Sequence, residues 1–380
     1  MKRLSEAFYR RKIEHIQQRL DSEGLDGLLI LDTYNVIYAS GFFHIPSERP
    51  LGLLVPRHGA PVLFVPQLEA ENAQDTWISD VRFYFEYPGE EHPVAWMVRE
   101  AGCSRLGIDK IDYAVYQRLP AGIKVTPMIE EMRWIKEPEE LELVSLAARF
   151  ADYCLENVRD NAAAIIRDGG TELDILAQCL GATRKKMLEE VGEQFRLYGG
   201  SVVGTVHSGP RAALPHGSPI ARQPKRGEPM IAGIGAMVGG YHAESGATFI
   251  IGEPQGDQMH CLAAAHACDT AAVDTLRVGN TCTQVNVAAL GALQAAGLGD
   301  AIRHRIGHGI GLQGHEGPWL APGDDTPLEA GMVFSSEPGI YRPGLDGYRT
   351  INTMIVTKGA AKVPSRFLAE NPPERRILTL

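Results

Sequence analysis

The sequence predicts two domains, an α/β domain over residues 1–127 and a second domain of helices and strands over 128–380. Three observations carry this. A chain of 380 residues with 44% hydrophobic and 22% charged residues can fill two cores. In the first third, short apolar runs alternate with helical stretches, the pattern of an α/β domain. Near residues 126–140 a loop then runs into a long helical segment.

In chain order, Leu4, Phe8, Ile13, Ile16 and Leu20 recur at helical spacing, and Gly24 ends that helix. Strands are predicted at 27–31, 51–56, 61–66, 81–87 and 105–109. Pro138 lies near the start of a helix over 138–160, where its missing N–H costs little. Thr171 and Asp174 form a capping box at the start of the next helix. An Ala-rich helix over 257–277 and a shorter one over 284–296 follow. Strand-like segments cover 228–238, 241–251, 331–336 and 348–357, and the last ten residues read as a tail or a packing arm.

The net charge of -10 disfavours nucleic acid as a partner. The six cysteines form no C-x-x-C pair and read as free thiols of a reducing cytosol. No stretch has the length and apolarity of a signal peptide or a membrane span, so a cytoplasmic chain is expected, with neither membrane nor nucleic acid as partner.

Four glycine-rich clusters hold the chemistry. They are SGPRAALPHGSP (208–219), GIGAMVGGYHAESGATF (233–249), HRIGHGIGLQGHEGP (304–318) and SSEPGIYRPGLDGYRTINT (335–353). Each joins a titratable residue to glycines that let backbone and substrate approach closely. One such cluster would pass for an ordinary turn. Four in succession point to a site.

The order PHG, GGY plus an acid, GHGIGLQGHEGP, SSEPGIY resembles the creatinase/prolidase, or pita-bread, family, and MRWIKEPEELE is similar to that family's entry into its second domain. The resemblance covers essentially the whole chain. It implies an α/β N-terminal creatinase-like domain followed by an α+β pita-bread catalytic domain. It also implies a hydrolase acting on C–N bonds, and a homodimer in which the 40–56 loop approaches the partner's site.

The family's metallopeptidases hold two ions with two aspartates, a histidine and two glutamates. Matched position by position, these fall on Gly233, Glu244, His308, Glu337 and Ile351. Gly233 and Ile351 cannot coordinate. Two close divalent ions without enough carboxylates would repel. The expectation is therefore no metal, with one divalent ion at Glu244, His308 and Glu337 as the alternative. Creatinase is the family's metal-free precedent, and its catalytic histidine corresponds to His216.

These residues predict a metal-independent hydrolase of an amide or amidine bond in a small polar substrate, creatinase-like or ectoine-hydrolase-like. His216 would move the proton, and Glu244 and Glu337 would supply negative charge. His308, His315 and Arg349, with Phe43 and Arg49 of the first domain, are the candidate substrate contacts. The alternatives are a metal-dependent Xaa-Pro dipeptidase or aminopeptidase, and a non-catalytic binding protein on a peptidase fold. His207, His242 and His304 read as structural.

Overall fold

A computed structural model describes residues 4–192 and 199–380. The chain divides between Arg133 and Trp134 into two compact units.

The first unit contains α1 (Glu6–Glu23), β1 (Gly27–Ile30), α2 (Thr33–Ser40), β2 (Gly52–Pro56), β3 (Val62–Pro66), α3 (Ala70–Ala73), β4 (Asp80–Tyr84), α4 (Pro93–Ala101), β5 (Leu106–Ile108), α5 (Tyr113–Tyr116), β6 (Lys124–Val125) and α6 (Met128–Trp134). Its six strands run in the order β4-β3-β2-β1-β5-β6. Helix α1 ends at Gly24, whose φ of 66° lies in the left-handed region that glycine tolerates. Helices α2 and α4 were not anticipated from the sequence.

The second unit contains α7 (Pro138–Arg167), α8 (Glu172–Val191), β7 (Ser201–Ser208), β8 (Pro229–Val238), β9 (Tyr241–Ile251), α9 (Gln258–Thr275), α10 (Cys282–Ala295), β10 (Gly307–Gly309), β11 (Glu316–Leu320), β12 (Val333–Ser336), β13 (Gly339–Arg342), β14 (Asp346–Arg349), β15 (Ile351–Ile355), α11 (Phe367–Glu370) and β16 (Ile377–Leu378). Its main sheet runs β11-β10-β12-β15-β9-β8-β7. The C-terminal segment is a packing arm, since β16 pairs in parallel with β9. The segment predicted as one strand over 348–357 is broken at Thr350 into β14 and β15.

Alternation along β9 assigns the two faces of this sheet. Ser245 points to α7, donating to Asp152 at 2.6 Å. Ser336 and Asn352 point to α9, donating to Asp269 at 2.8 and 3.0 Å. Leu143, Val144, Phe150 and Leu155 of α7 are buried, each contributing about 1.5–3 kcal/mol. The opposite face carries Glu244, Ser335 and Thr353, and it is the face on which the site forms. No helix among the described residues is long and apolar enough to cross a membrane.

Candidate functional site

The site follows from strand register. Across that face, His308 of β10 lies opposite Ser335 of β12, and Ser335 opposite Thr353 of β15. Thr353 and the Glu244 backbone exchange two hydrogen bonds of 2.8 Å. A second row contains Ile351, Gly246, Gly233 and Thr205, paired in that order. Glu337, two residues beyond Ser335, returns to the same side. Residues from Thr205 to Thr353 thus meet on one surface.

The GHG segment can sit in this sheet because Gly307 has no side chain. A Cβ there would lie 1.9 Å from the Ser335 carbonyl oxygen. The stretch after it folds back, so that the His315 ring stacks on His308 with centroids 3.7 Å apart. One ligand atom from each of Glu244, His308, His315 and Glu337 can be chosen so that all four lie within 4.8 Å of one another.

His308 donates from Nδ1 to the Gly309 carbonyl at 3.0 Å, which turns Nε2 toward the carboxylates. Nε2 is 2.6 Å from Glu337 Oε1 and 3.8 Å from Glu244 Oε2. Ser335 donates to Glu244 Oε2 at 2.7 Å. Burial and the nearby Glu337 charge raise the pKa of Glu244. Burial alone would raise Glu337 too, but the hydrogen bond from His308 and the charges of His308 and Arg349 bring it below the usual carboxylate range. His308 is raised, because the two glutamates outweigh the effect of its burial. Burial and the charge of His308 lower His315.

His216 is exposed on the turn after Ala213, near enough for its charge to act on His304 and His315. That turn is anchored from below. Gly217 packs on the buried His207 ring, and a Cβ would fall 2.7 Å from His207 Cδ2. Glu172, fully buried at the start of α8, accepts from Ser208 N and Oγ at 2.8 Å and from Arg211 Nη1 at 2.6 Å. It also accepts from Ile220 N at 3.2 Å. Arg349 is 6% exposed and donates to the Pro215 carbonyl at 2.6 Å.

Phe43 and Arg49 lie on the first unit's 41–51 loop, where Arg49 pairs with Glu48 and, at 2.6 Å, with Glu86. Glu172, Ser335 and Asp269 were missed in the sequence. Ser335 could have been found by stepping back two residues along the strand from Glu337. Nothing in the sequence around Glu172 or Asp269 sets them apart from other helix carboxylates.

The donor set fits one divalent ion, since two carboxylates and one or two imidazoles form a common mixed-ligand shell. It does not fit two. Gly233 offers no ligand, and Ile351 Cδ1 lies 3.1 Å from where a Cβ on Gly233 would be.

Residues 142–358 match metallopeptidase family M24, and residues 12–135 match the creatinase/prolidase N-terminal domain. The chain is 31% identical to an Xaa-Pro dipeptidase of Lactobacillus helveticus over 362 residues, 92% of this chain and 95% of the relative. The crystal structure of dipeptidase PepE from Mycobacterium ulcerans superposes with a TM-score of 0.85 at 27% identity, over 100% of both chains. The prolidase of Pyrococcus horikoshii OT3 gives a TM-score of 0.79 at 25% identity, over 93% of this chain and 98% of that one.

These findings correct two expectations. The metal-independent amide or amidine hydrolase is overturned by the metallopeptidase match and the dipeptidase relatives. The expectation of no metal falls with it, because Glu244, His308, His315 and Glu337 remain grouped as a metal-ligand cluster. Loss of ligands at 233 and 351 leaves these four groups together. The chain belongs to metallopeptidase family M24, with a creatinase/prolidase N-terminal domain ahead of its pita-bread catalytic domain.

Proposed function

We propose that the chain is a metal-dependent dipeptidase acting on Xaa-Pro dipeptides, with one divalent ion held by Glu244, His308 and Glu337 and flanked by His315. The observation that carries this reading is the convergence of one ligand atom from each of these four side chains within 4.8 Å on one face of the sheet. Such an ion supplies Lewis acidity to the scissile carbonyl and makes water acidic enough to attack at neutral pH. His308 Nε2 and Glu337 Oε1 lie 2.6 Å apart and so face one point, while the Gly309 carbonyl orients the ring through Nδ1. Ser335 donates to Glu244 Oε2 at 2.7 Å and so fixes that ligand in place. His216 takes a proton from the water as its oxygen bonds to the carbonyl carbon, and gives that proton to the departing proline nitrogen as the C–N bond breaks.

Assay of a dipeptide panel tests this. Xaa-Pro substrates should be cleaved, a chelator should abolish cleavage, and a divalent ion should restore it. Cleavage that persists in chelator would refute the reading. His216→Ala should lower turnover by about 10²–10⁴-fold, the usual worth of general acid–base help. Bound metal should be unchanged, because His216 is outside the donor cluster. Near-normal turnover would remove His216 from the reaction.

The chain is also proposed to form a homodimer in the cytoplasm. Ile45 (84% exposed) and Phe85 (86% exposed) leave apolar surface on the first unit, and strand β4 is a free sheet edge. All six cysteines are free thiols, as suits a reducing compartment. The loop with Phe43 and Arg49 would serve the second copy's site. Light scattering should give twice the monomer mass, and a monomer at working concentration would contradict the assembly.

A further inference from the structure

His207 is a buried titratable group that the reaction above does not use. It lies two residues beyond Thr205 on β7, opposite Ile231, and so points to the site face. It is fully buried beneath the turn that carries His216. That turn closes on its ring, since a Cβ on Gly217 would fall 2.7 Å from His207 Cδ2. The Leu214 carbonyl of the same turn also acts on the ring. Thr205 joins ring and turn. Its hydroxyl lies against the Gly217 carbonyl oxygen and 3.3 Å from His207 Nδ1. A hydroxyl has one proton to give, and a carbonyl oxygen can only accept. The Thr205 proton therefore goes to Gly217, and its oxygen accepts from Nδ1. Burial, with the charges of Arg349 and Arg211 beside it, holds the His207 pKa down to about 3. At neutral pH the ring is uncharged and has one N–H, which is at Nδ1. Nε2 bears the lone pair and has no hydrogen-bond partner among the described residues.

We infer that His207 is a positioning residue for His216: as the Nδ1–H tautomer it turns the Thr205 hydroxyl onto the Gly217 carbonyl, and so fixes the turn from which His216 moves its proton. The inference rests on the role of His216 proposed above. His216 is itself exposed, so its place is set by its backbone. The carbonyls on either side of it are both tied. Arg349 Nη1 donates to Pro215 O at 2.6 Å, and Thr205 Oγ1 donates to Gly217 O. Without an N–H at Nδ1, the Thr205 proton would have a second acceptor in the ring nitrogen, and the Gly217 carbonyl would lose its donor. Misplacing a reacting group by about 1 Å can cost about 10²-fold in rate.

Two measurements on the full chain test this. Nitrogen NMR with labelled histidine should show His207 as the Nδ1–H tautomer, its signals assigned by their loss in His207→Phe. An Nε2–H tautomer would overturn the inference. The second is a double-mutant cycle with Mn(II) and an Xaa-Pro dipeptide, folding being checked by circular dichroism. His207→Phe keeps a flat ring under Gly217 and removes the N–H. It should lower kcat by about 10- to 100-fold and change KM by less than about threefold. Thr205→Val, which removes the hydroxyl and keeps the shape, should do the same. His207→Asn can place an amide N–H where Nδ1–H was and should recover most of the rate. In the His216→Ala background, His207→Phe and Thr205→Val should cost nothing further, because the group they position is gone. Equal losses in both backgrounds would show a merely structural histidine, and no loss in the wild-type background would show no role. Either result would overturn the inference while leaving the peptidase reading intact. Near-normal turnover of His216→Ala itself would instead remove the reading on which the inference rests.

Discussion

Glu337→Gln is expected to strip the site of its ion and to lower dipeptide turnover by more than about 100-fold. The substitution keeps the shape of the side chain and removes its charge. Loss of a partner that merely supports a ligand costs roughly 10–100-fold in metal affinity, and Glu337 is itself a proposed ligand. His308, held at Nδ1 by the Gly309 carbonyl, would remain as a ligand with one charged carboxylate fewer beside it. Metal analysis after dialysis and steady-state rates on an Xaa-Pro dipeptide read both effects. Circular dichroism should be unchanged, because the strands around the site are held by backbone pairing. Retention of a full equivalent of metal would show that Glu337 is not a ligand.

The second large effect belongs to stability. Lys136 and Glu316 form a 2.8 Å ion pair with side chains only 2% and 5% exposed. Glu316 also accepts from Gln313 N at 3.3 Å, so the pair secures the segment that presents His315. Glu316→Ala would strand a buried ammonium and should cost about 3–5 kcal/mol. Lys136→Ala should cost a similar amount by stranding the carboxylate. The double replacement Lys136→Met with Glu316→Leu should recover most of the loss, since buried pairs are often replaceable by apolar residues. Urea denaturation of the second unit's signal measures all three. A loss below about 1 kcal/mol for Glu316→Ala would mean that water reaches the pair.

Strands β8 and β9 were legible as apolar runs at 228–238 and 241–251, parted by Gly239 and Gly240. Glu244, His308 and Glu337 were legible because each sits in a short, specific motif. The metal was misread for a physical reason. Counting lost ligands at Gly233 and Ile351 says how many donors are missing, but not which ion they served. Only the fold shows that the surviving donors are grouped and that the missing ones share a different row of the sheet. The stacking of His315 on His308 depends on a fold-back that spacing does not reveal. Helix α2 was missed because Val36, Ile37 and the tyrosines of TYNVIYAS favour strands by propensity. Its cap, Asp32 accepting from Tyr34 N and Asn35 N, and its terminator Gly41 were present as weaker signals. Glu172 was hidden beside the Thr171 capping box, where an acidic residue needs no further explanation.

The central claim is a one-ion peptidase, and activity as a function of added metal tests it most directly. Metal-stripped chain at known concentration should be inactive on an Xaa-Pro dipeptide. Stepwise Mn(II), under conditions tight enough for stoichiometric binding, should restore activity in a straight line that breaks at one equivalent per chain. Activity before any metal is added, or a break at two equivalents, would contradict the account.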